Sequence, residues 1–227
     1  DASYSRMWGE YESGQLYVGV KPKIMRLGMS NVATRIGDLT DADAFFDEIL
    51  DRDFEYSTEA TFDVGALWVA PNYHVGATIK NMYEGRFKFP EFDNPKIKSE
   101  EILALLESSR TYQLERQLKI EAGWNDNAKK WNANFSIDTN VAMDPVGNLN
   151  QWLSVSGSYK PSITWLPSVR FGHHQNLKGT RVKYAAVGAT MFKYFEVDLG
   201  LSLDQVEISG NDLPRGLNLT FGFNYGF

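Results

Sequence analysis

Two adjacent histidines, His173 and His174, are the residues of this sequence that come closest to a metal site. Imidazole is a common zinc ligand, but neighbouring residues of a β-strand point to opposite faces of a sheet. The pair cannot bind one ion together on a strand, and in a loop it needs a third ligand from elsewhere. We therefore expect two solvated loop histidines, no metal site and no other cofactor.

Carboxylates and glycines also give no pattern that is typical of an enzyme. Asp63 and Asp138 interrupt apolar stretches as catalytic carboxylates can, but no Ser/His/Asp spacing accompanies them. The stretch GTRVKYAAVGAT has glycines too far apart for a phosphate-binding loop and no helix signal after them. We predict that the protein is not an enzyme.

Charged residues recur instead at alternate positions, opposite apolar ones. Such a polar face can bind a solute, or it can hold a wet interior together through ion pairs, and we favour the second interpretation. If the strands close into a barrel, this polar face lines the interior, or lumen. The candidates for lumen-facing side chains are Glu115, Lys119, Glu121, Asp138, Arg170, Lys183, Glu196 and Asp198.

The elements that carry these residues are predicted β-strands with a period of two. For example, Phe195, Val197 and Leu199 alternate with Glu196 and Asp198. Most of these stretches have about ten residues, close to the ~9–11 that cross a bilayer at a tilt and above the ~5–6 of an ordinary strand. The eleven stretches lie near 2–10, 15–26, 54–69, 73–83, 114–124, 131–141, 149–159, 163–172, 181–191, 195–203 and 216–227.

The connections between these predicted strands alternate in length. Short turns are predicted at 12–15, 71–72, 125–129, 160–162 and around Lys193, and longer loops at 27–53, 84–111, 142–148, 173–180 and 206–214. Outer-membrane barrels have short periplasmic turns and longer extracellular loops. Helix signals lie in two of the long loops, at 41–51 and in the run EEILALLESS that Ser99 can cap.

Aromatic residues concentrate on the apolar faces near the short turns. A ring of Trp and Tyr at one level is typical of the membrane–water interface, where the ring body lies among acyl chains and the polar edge near headgroups. The members of this predicted girdle are Trp68, Tyr73, Trp124, Trp131, Tyr159, Trp165, Phe195, Tyr225 and Phe227.

Composition restricts the possible partners. A net charge of −6 argues against nucleic acid, because binding phosphates needs a basic surface. The absence of cysteine excludes disulfides and thiol chemistry. No apolar run is long enough for a transmembrane helix, but the strands of a membrane barrel need none. We treat residues 1–227 as a single domain.

The end of the chain, GLNLTFGFNYGF, resembles the C-terminal signature that outer-membrane barrels present to the barrel assembly machinery. The resemblance assigns Phe223, Tyr225 and Phe227 as an assembly signal. It also implies two partners, the assembly machinery and the lipid bilayer of the outer membrane.

Further segments resemble the family of F-plasmid conjugal transfer TraF-like proteins, which is similar to the FadL-type barrels of hydrocarbon and fatty-acid uptake. They are QLYVGVKPKIMRL, FDVGALWVAPNYHVGATIKNM, LKIEAGWND, WNANFSIDTNV, NQWLSVSGSYKP and LPSVRFGHHQNLKG. The resemblance implies a signal peptide and a barrel of about fourteen strands. Bacterial barrels have even strand numbers, so with eleven candidates either upstream strands are missing or residues 2–10 are a tail and ten strands close.

The predicted fold is therefore an all-β, transmembrane, antiparallel up-and-down β-barrel of about ten to fourteen strands in the outer membrane, with short helices in long extracellular loops. The predicted function is passive passage or binding of a small or hydrophobic solute. One alternative is a non-transporting barrel that serves as a structural or assembly component of a conjugation or secretion apparatus. A soluble β-sandwich with the same alternation is the other.

Overall fold

The computed structural model describes residues 3–30, 54–90, 99, 101, 104, 110–163, 165–192, 194–208 and 210–223. The helix predicted at 41–51 lies outside these residues, and so does most of the one predicted after Ser99. No helix in the described part of the chain has the length and hydropathy to span a membrane.

The fold is all-β, and the described residues form seventeen strands. Eleven of them build one sheet in the order β1-β2-β3-β4-β7-β8-β11-β12-β13-β14-β17, and the other six form three two-stranded hairpins within its connections. The strands are β1 Tyr4–Tyr11, β2 Gly14–Met29, β3 Glu55–Val69, β4 Tyr73–Lys80, β5 Arg86–Lys88, β6 Thr111–Gln113, β7 Gln117–Asn125, β8 Trp131–Asp138, β9 Ala142–Met143, β10 Leu149–Asn150, β11 Trp152–Tyr159, β12 Ser168–Asn176, β13 Lys183–Met191, β14 Phe195–Ser202, β15 Gln205–Ile208, β16 Asn211–Pro214 and β17 Leu217–Phe223.

The large antiparallel sheet confirms the prediction of an all-β fold, with one strand for each of the eleven stretches. Residues 4–11 pair with β2 from Tyr4↔Val20 to Tyr11↔Gly14, so the interpretation of residues 2–10 as a tail is wrong. In the order of the sheet, β1 and β17 are its two edges.

The prediction is also wrong at the strand placed near 163–172. The observed strand is Ser168–Asn176, and its ladder with β11 includes Val155↔His173 and Ser154↔His174. Both histidines are therefore strand residues rather than loop residues. The strand extends because the register of β11 continues to Trp152↔Asn176, and tertiary pairing of this kind overrides local sequence signals.

The chain divides into two compact units that are interleaved along the sequence. The smaller comprises 1–2, 22–62 and 81–116, and the larger 3–21, 63–80 and 117–227. Units that are interleaved in this way can belong to one domain. The single domain over residues 1–227 therefore stays a prediction.

The smaller unit has a compact hydrophobic core of its own. Phe87 of β5 is fully buried beside Tyr112 of β6, with ring centroids 6.1 Å apart, and Met29 is the third buried member. Backbone hydrogen bonds from Phe89 N to Arg110 O and from Leu114 N to Gly85 O extend this hairpin at both ends.

The larger unit contains a sheet whose exposure pattern is inverted. Residues that pair across antiparallel strands share a face, so Leu199↔Leu219 and Val197↔Phe221 belong to one apolar face. Leu219 is 55% exposed and Phe221 64% exposed, whereas Asp138 on the opposite face is 3% exposed. We call the two sides the apolar face and the polar face.

A tight loop closes the hairpin of β9 and β10 around Asp144. Its Oδ1 accepts hydrogen bonds from the backbone N–H groups of Asn148 at 2.7 Å and Val146 at 3.1 Å. Gly147 has a φ of 85°, a conformation that glycine adopts without strain. Slight burial raises the pKa of Asp144, but these hydrogen bonds outweigh it and hold the pKa below the ordinary value of 3.8.

We predict that this loop loses order only in strong acid. A carboxyl whose pKa is lowered by folding contributes stability above its unfolded pKa, and that stability is lost as the pH falls through the folded pKa. The amide chemical shift of Asn148 should therefore titrate with a midpoint below 3.8. Asp144→Asn should abolish the titration, and a midpoint at or above the ordinary value would contradict the prediction.

Candidate functional site on the polar face of the sheet

The polar face brings together charged, amide and hydroxyl side chains from seven strands, β4, β7, β8 and β11 to β14. The register places them in continuous rows, for example Glu121↔Ser136↔Ser154↔His174. Those used below are His74, Lys80, Lys119, Glu121, Asn134, Ser136, Asp138, Ser154, Ser156, Ser158, Arg170, His174, Thr190, Glu196 and Asp198.

Six of the eight predicted lumen-facing residues share this face, and two do not. Glu115 lies between β6 and β7, where its carbonyl oxygen accepts a hydrogen bond from Asn81 Nδ2 at 3.1 Å. Lys183 is the first residue of β13 and lies on the apolar face with Ala185 and Val187. The six are Lys119, Glu121, Asp138, Arg170, Glu196 and Asp198.

Of the predicted assembly signal, one residue is described. Phe223 ends β17, pairs with Phe195 and is well exposed. Tyr225 and Phe227 lie outside the described residues.

Arg170 of β12 is the centre of one charged cluster. Its Nη2 donates to both carboxylate oxygens of Asp198, at 2.9 and 3.1 Å, and Nε donates to Oδ1 at 3.3 Å. Nη1 donates to Thr190 Oγ1 at 2.5 Å and lies 3.9 Å from Glu196 Oε1. This multiple pairing uses the planar fork of the guanidinium, which a lysine cannot reproduce.

The Arg170–Asp198 pair depends on a glycine that the sequence analysis missed. Arg170 is on β12 and Asp198 on β14, with β13 between them. In the register, Gly188 of β13 pairs with Arg170 on one side and with Asp198 on the other. A Cβ atom added at Gly188 would overlap Asp198 Oδ1 and lie 3.2 Å from Arg170 Nε. The missing side chain is what lets the two charges meet, and a lone glycine inside a strand is the sequence signal of such a close approach.

Asp138 at the end of β8 is the most buried carboxylate of this face. Lys80 Nζ of β4 lies 3.2 Å from Oδ1, and the backbone N–H of Trp152 donates to Oδ2 at 3.2 Å. Lys80 also contacts Gln117 Oε1 at 3.4 Å. The sequence analysis identified Asp138 but not Lys80, because the two belong to strands with β7 between them.

His174 is held in place by its neighbours on the polar face. Its ring stacks on Trp152, with centroids 4.2 Å apart and an interplanar angle of 1°, and its Nδ1 lies 2.5 Å from Ser154 Oγ. His173 points to the apolar face through its pairing with Val155 and Ala185. The two imidazoles cannot share one ion, as the alternation on a strand requires.

The chemistry that this face offers is hydrogen bonding and charge pairing. In the described ranges, no three His, Cys, Asp or Glu residues are grouped to hold a metal ion. Ser154 and His174 form a hydroxyl–imidazole contact, but backbone N–H groups of paired strands are engaged in the ladder and provide no oxyanion site. The absence of enzyme activity stays a prediction.

A comparison with known proteins places the chain in a family. The model of the family described as "F plasmid transfer operon, TraF, protein" matches residues 2–138, more than half of the chain. The chain belongs to this family. No curated protein and no solved structure matches it. The TraF match ends at Asp138, so it includes Lys80 and Asp138, whereas Arg170, Gly188 and Asp198 lie in strands that continue the same sheet.

We predict that Gly188→Ala weakens the larger unit, because its methyl group displaces the Asp198 carboxylate from Arg170. The loss of these charge-assisted hydrogen bonds at a partly exposed site should cost about 1–2 kcal/mol of unfolding free energy. Thermal unfolding of the purified protein, followed by circular dichroism, measures the change.

Gly200→Ala is the matched control, since Gly200 shares the polar face and a Cβ there would meet its nearest atom, Asn218 Cβ, at 3.9 Å. Its effect should stay within about 0.5 kcal/mol. Equal effects of the two substitutions would show that the ion pair does not depend on the gap at Gly188.

Proposed function

We propose that this TraF-family protein is an outer-membrane β-barrel, similar to FadL-type barrels, whose polar face lines a lumen through which a small or hydrophobic solute passes or in which it binds. The observation that carries the proposal is the inverted sheet. Its apolar side chains are exposed, and its most deeply buried side chains include a carboxylate, an amide and a hydroxyl.

Exposed apolar area on this scale is unfavourable in water. Each Å² of apolar surface left in water costs about 25 cal/mol relative to burial, and soluble monomers rarely expose contiguous apolar patches above a few hundred Å². The apolar face extends through alternate pairs from Phe195↔Phe223 to Leu201↔Leu217. Hydrocarbon solvates such a face without this cost, which supports a position in the bilayer.

A membrane position requires that the edges of the sheet be paired. Unsatisfied N–H and C=O groups cost several kcal/mol each in hydrocarbon, which is why only closed barrels cross membranes with strands. We therefore propose that β1 and β17 are paired in the membrane, either with each other or through further strands. We propose Phe223 as part of the signal that the barrel assembly machinery binds.

Aromatic pairs at one end of the apolar face support a membrane boundary. Trp124 of β7 pairs with Tyr73 of β4, and Trp131 of β8 pairs with Tyr159 of β11, in two adjacent strand pairs. The rings of Trp131 and Tyr159 lie 4.5 Å apart, and both tryptophans are half exposed. Such amphipathic rings are stable at headgroup level, so this end of the strands fits the interface.

The arrangement of the charges favours passage over a plug. Both strong ion pairs, Arg170–Asp198 and Lys80–Asp138, join residues two strands apart. That spacing is about 10 Å along the wall, so each side chain lies against the wall instead of reaching into the interior. A wall held together in this way leaves room for a solute beside it.

The second candidate is a non-transporting component of a conjugation or secretion apparatus. The description of the family, which refers to a plasmid transfer operon, favours it. In this case the barrel would be a structural partner of other proteins, and its lumen would carry no solute.

We predict that the polar face of the sheet tolerates an introduced arginine and that the apolar face does not. Leu199→Arg places a charge in the middle of the apolar face and should destabilise the protein in lipid vesicles by about 2–4 kcal/mol. Asn218→Arg, on the polar face of the adjacent strand, is the control and should cost less than about 1 kcal/mol. Urea unfolding in vesicles measures both, and equal costs would contradict a lipid-facing apolar side.

We also predict that vesicles containing the full chain admit small neutral solutes. Liposome swelling in glycerol should be faster than in protein-free vesicles, and the rate should fall as the solute becomes larger. Swelling no faster than that of empty vesicles would contradict passage. If loss of the protein then also reduced plasmid transfer between cells, the structural role would be favoured.

A further inference from the structure

We propose that the polar face contains a binding site for a small zwitterionic solute, such as an α-amino acid, and this inference rests on the proposed function because it places the site in the lumen wall. The site is a cavity of about 260 Å³ over strands β4, β7, β8 and β11. Its lining includes Lys119 and Glu121, and hydroxyl groups of Ser136, Ser154 and Ser156.

Two opposite charges stand side by side in this cavity without a tight bond between them. Lys119 Nζ lies 3.9 Å from Glu121 Oε2, beyond hydrogen-bond distance. Asp138 pairs with Lys119 in the register, but its Oδ1 is 3.2 Å from Lys80 Nζ. Lys119 and Glu121 are both about one-third exposed or more, so each retains capacity for a ligand.

The serine hydroxyls supply the neutral part of the site. Ser136 lies between Glu121 and Ser154 in one register row, and Ser156 is in the next row, opposite Asn134. Within the described part of the chain, the hydroxyls of Ser136 and Ser156 have no hydrogen bond to protein, so both can bind a solute. The Ser154 hydroxyl is occupied by His174 Nδ1.

Two glycines of these rows leave room for the polar side chains that line the cavity. Gly76 pairs with Glu121, and Gly123 pairs with both His74 and Asn134. A Cβ at Gly76 would lie 3.1 Å from Glu121 Oε1, so even alanine would crowd the carboxylate. His74 and Asn134 complete the polar lining.

This chemistry selects a zwitterion over a single ion. The ammonium of an amino acid can bind the Glu121 carboxylate while its own carboxylate binds Lys119 and the serine hydroxyls, and each contact is a charge-assisted hydrogen bond. A lone cation or anion gains one of these contacts and faces a like charge at the other. The cavity is smaller than the 300–1,000 Å³ or so of drug-sized sites, so its size suits a small solute.

The test uses two isomers of equal mass, alanine and lactamide, of which only alanine is zwitterionic. Equilibrium dialysis of radiolabelled alanine against the full chain in detergent should show saturable binding that excess lactamide displaces at least about tenfold less well than unlabelled alanine. Lys119→Met and Glu121→Gln should each weaken alanine binding about tenfold.

Ser136→Ala should also weaken binding, whereas Ser158→Ala, on the same face but outside the cavity, should leave it unchanged. Circular dichroism establishes that each variant is folded, and the serine pair provides the test if a charge variant does not fold. Equal affinity for the two isomers, or unchanged binding in all three cavity variants, would overturn the site. If vesicles swell in glycerol but the protein binds alanine and lactamide equally well, the zwitterion site is wrong and the proposed passage stands. If the protein binds alanine selectively but the vesicles do not swell, the proposed passage is wrong and the site stands.

Discussion

The rest of the structure depends on one constraint, which is that the large sheet presents its apolar side chains outward. Once Leu, Val and aromatic residues occupy that side, period two places most of the charged and hydroxyl side chains of the same strands on the other side. Those groups cannot be left unpaired where they are buried, because each would lose its hydration without compensation. Asp138 is an example: it has both a cation and a backbone N–H as partners. The polar face therefore follows from the alternation that produces the apolar face, and it is also where we propose that a solute binds.

Glycine distribution follows from the same constraint. The polar face carries Gly123 and Gly188, where an added Cβ would overlap the His74 ring and the Asp198 carboxylate, respectively. On the apolar face, by contrast, Phe171 covers Gly157 in the neighbouring strand, so that no gap opens in the hydrophobic surface. Glycines thus make room for polar side chains on one face, and on the other an aromatic ring covers Gly157.

The sequence was sufficient to predict the strands and the face of most of their residues, which depend on local alternation. It was insufficient to predict contacts between strands, which depend on how the strands pair. We could predict eleven strands, and also the face on which Lys119, Glu121, Arg170 and Asp198 lie. Both predictions were possible because the alternation of apolar and polar residues is visible within each strand. Lys80 and Gly188 could not, since their importance appears only when β4 is placed near β8 and β13 between β12 and β14. Lys183 and Glu115 were predicted on the polar face, but Lys183 begins β13 on the apolar face and Glu115 precedes the first residue of β7. The shift of β12, which made His174 a strand residue, has the same origin: register is decided by the neighbouring strand and not by the segment itself.

The two ion pairs that skip a strand also bear on how the protein assembles. Arg170 and Asp198 are 28 residues apart in sequence, and Lys80 and Asp138 are 58 apart, and in each case a third strand lies between the partners. Two adjacent strands cannot form either pair by themselves, so the ion pairs of β12–β13 and of β4–β7 form only when the next strand, β14 or β8, has joined. Such pairs act as a check on register, because a slip by one residue turns a charged side chain to the apolar face and breaks the pair. The sheet is therefore expected to become stable in groups of three strands rather than one hairpin at a time.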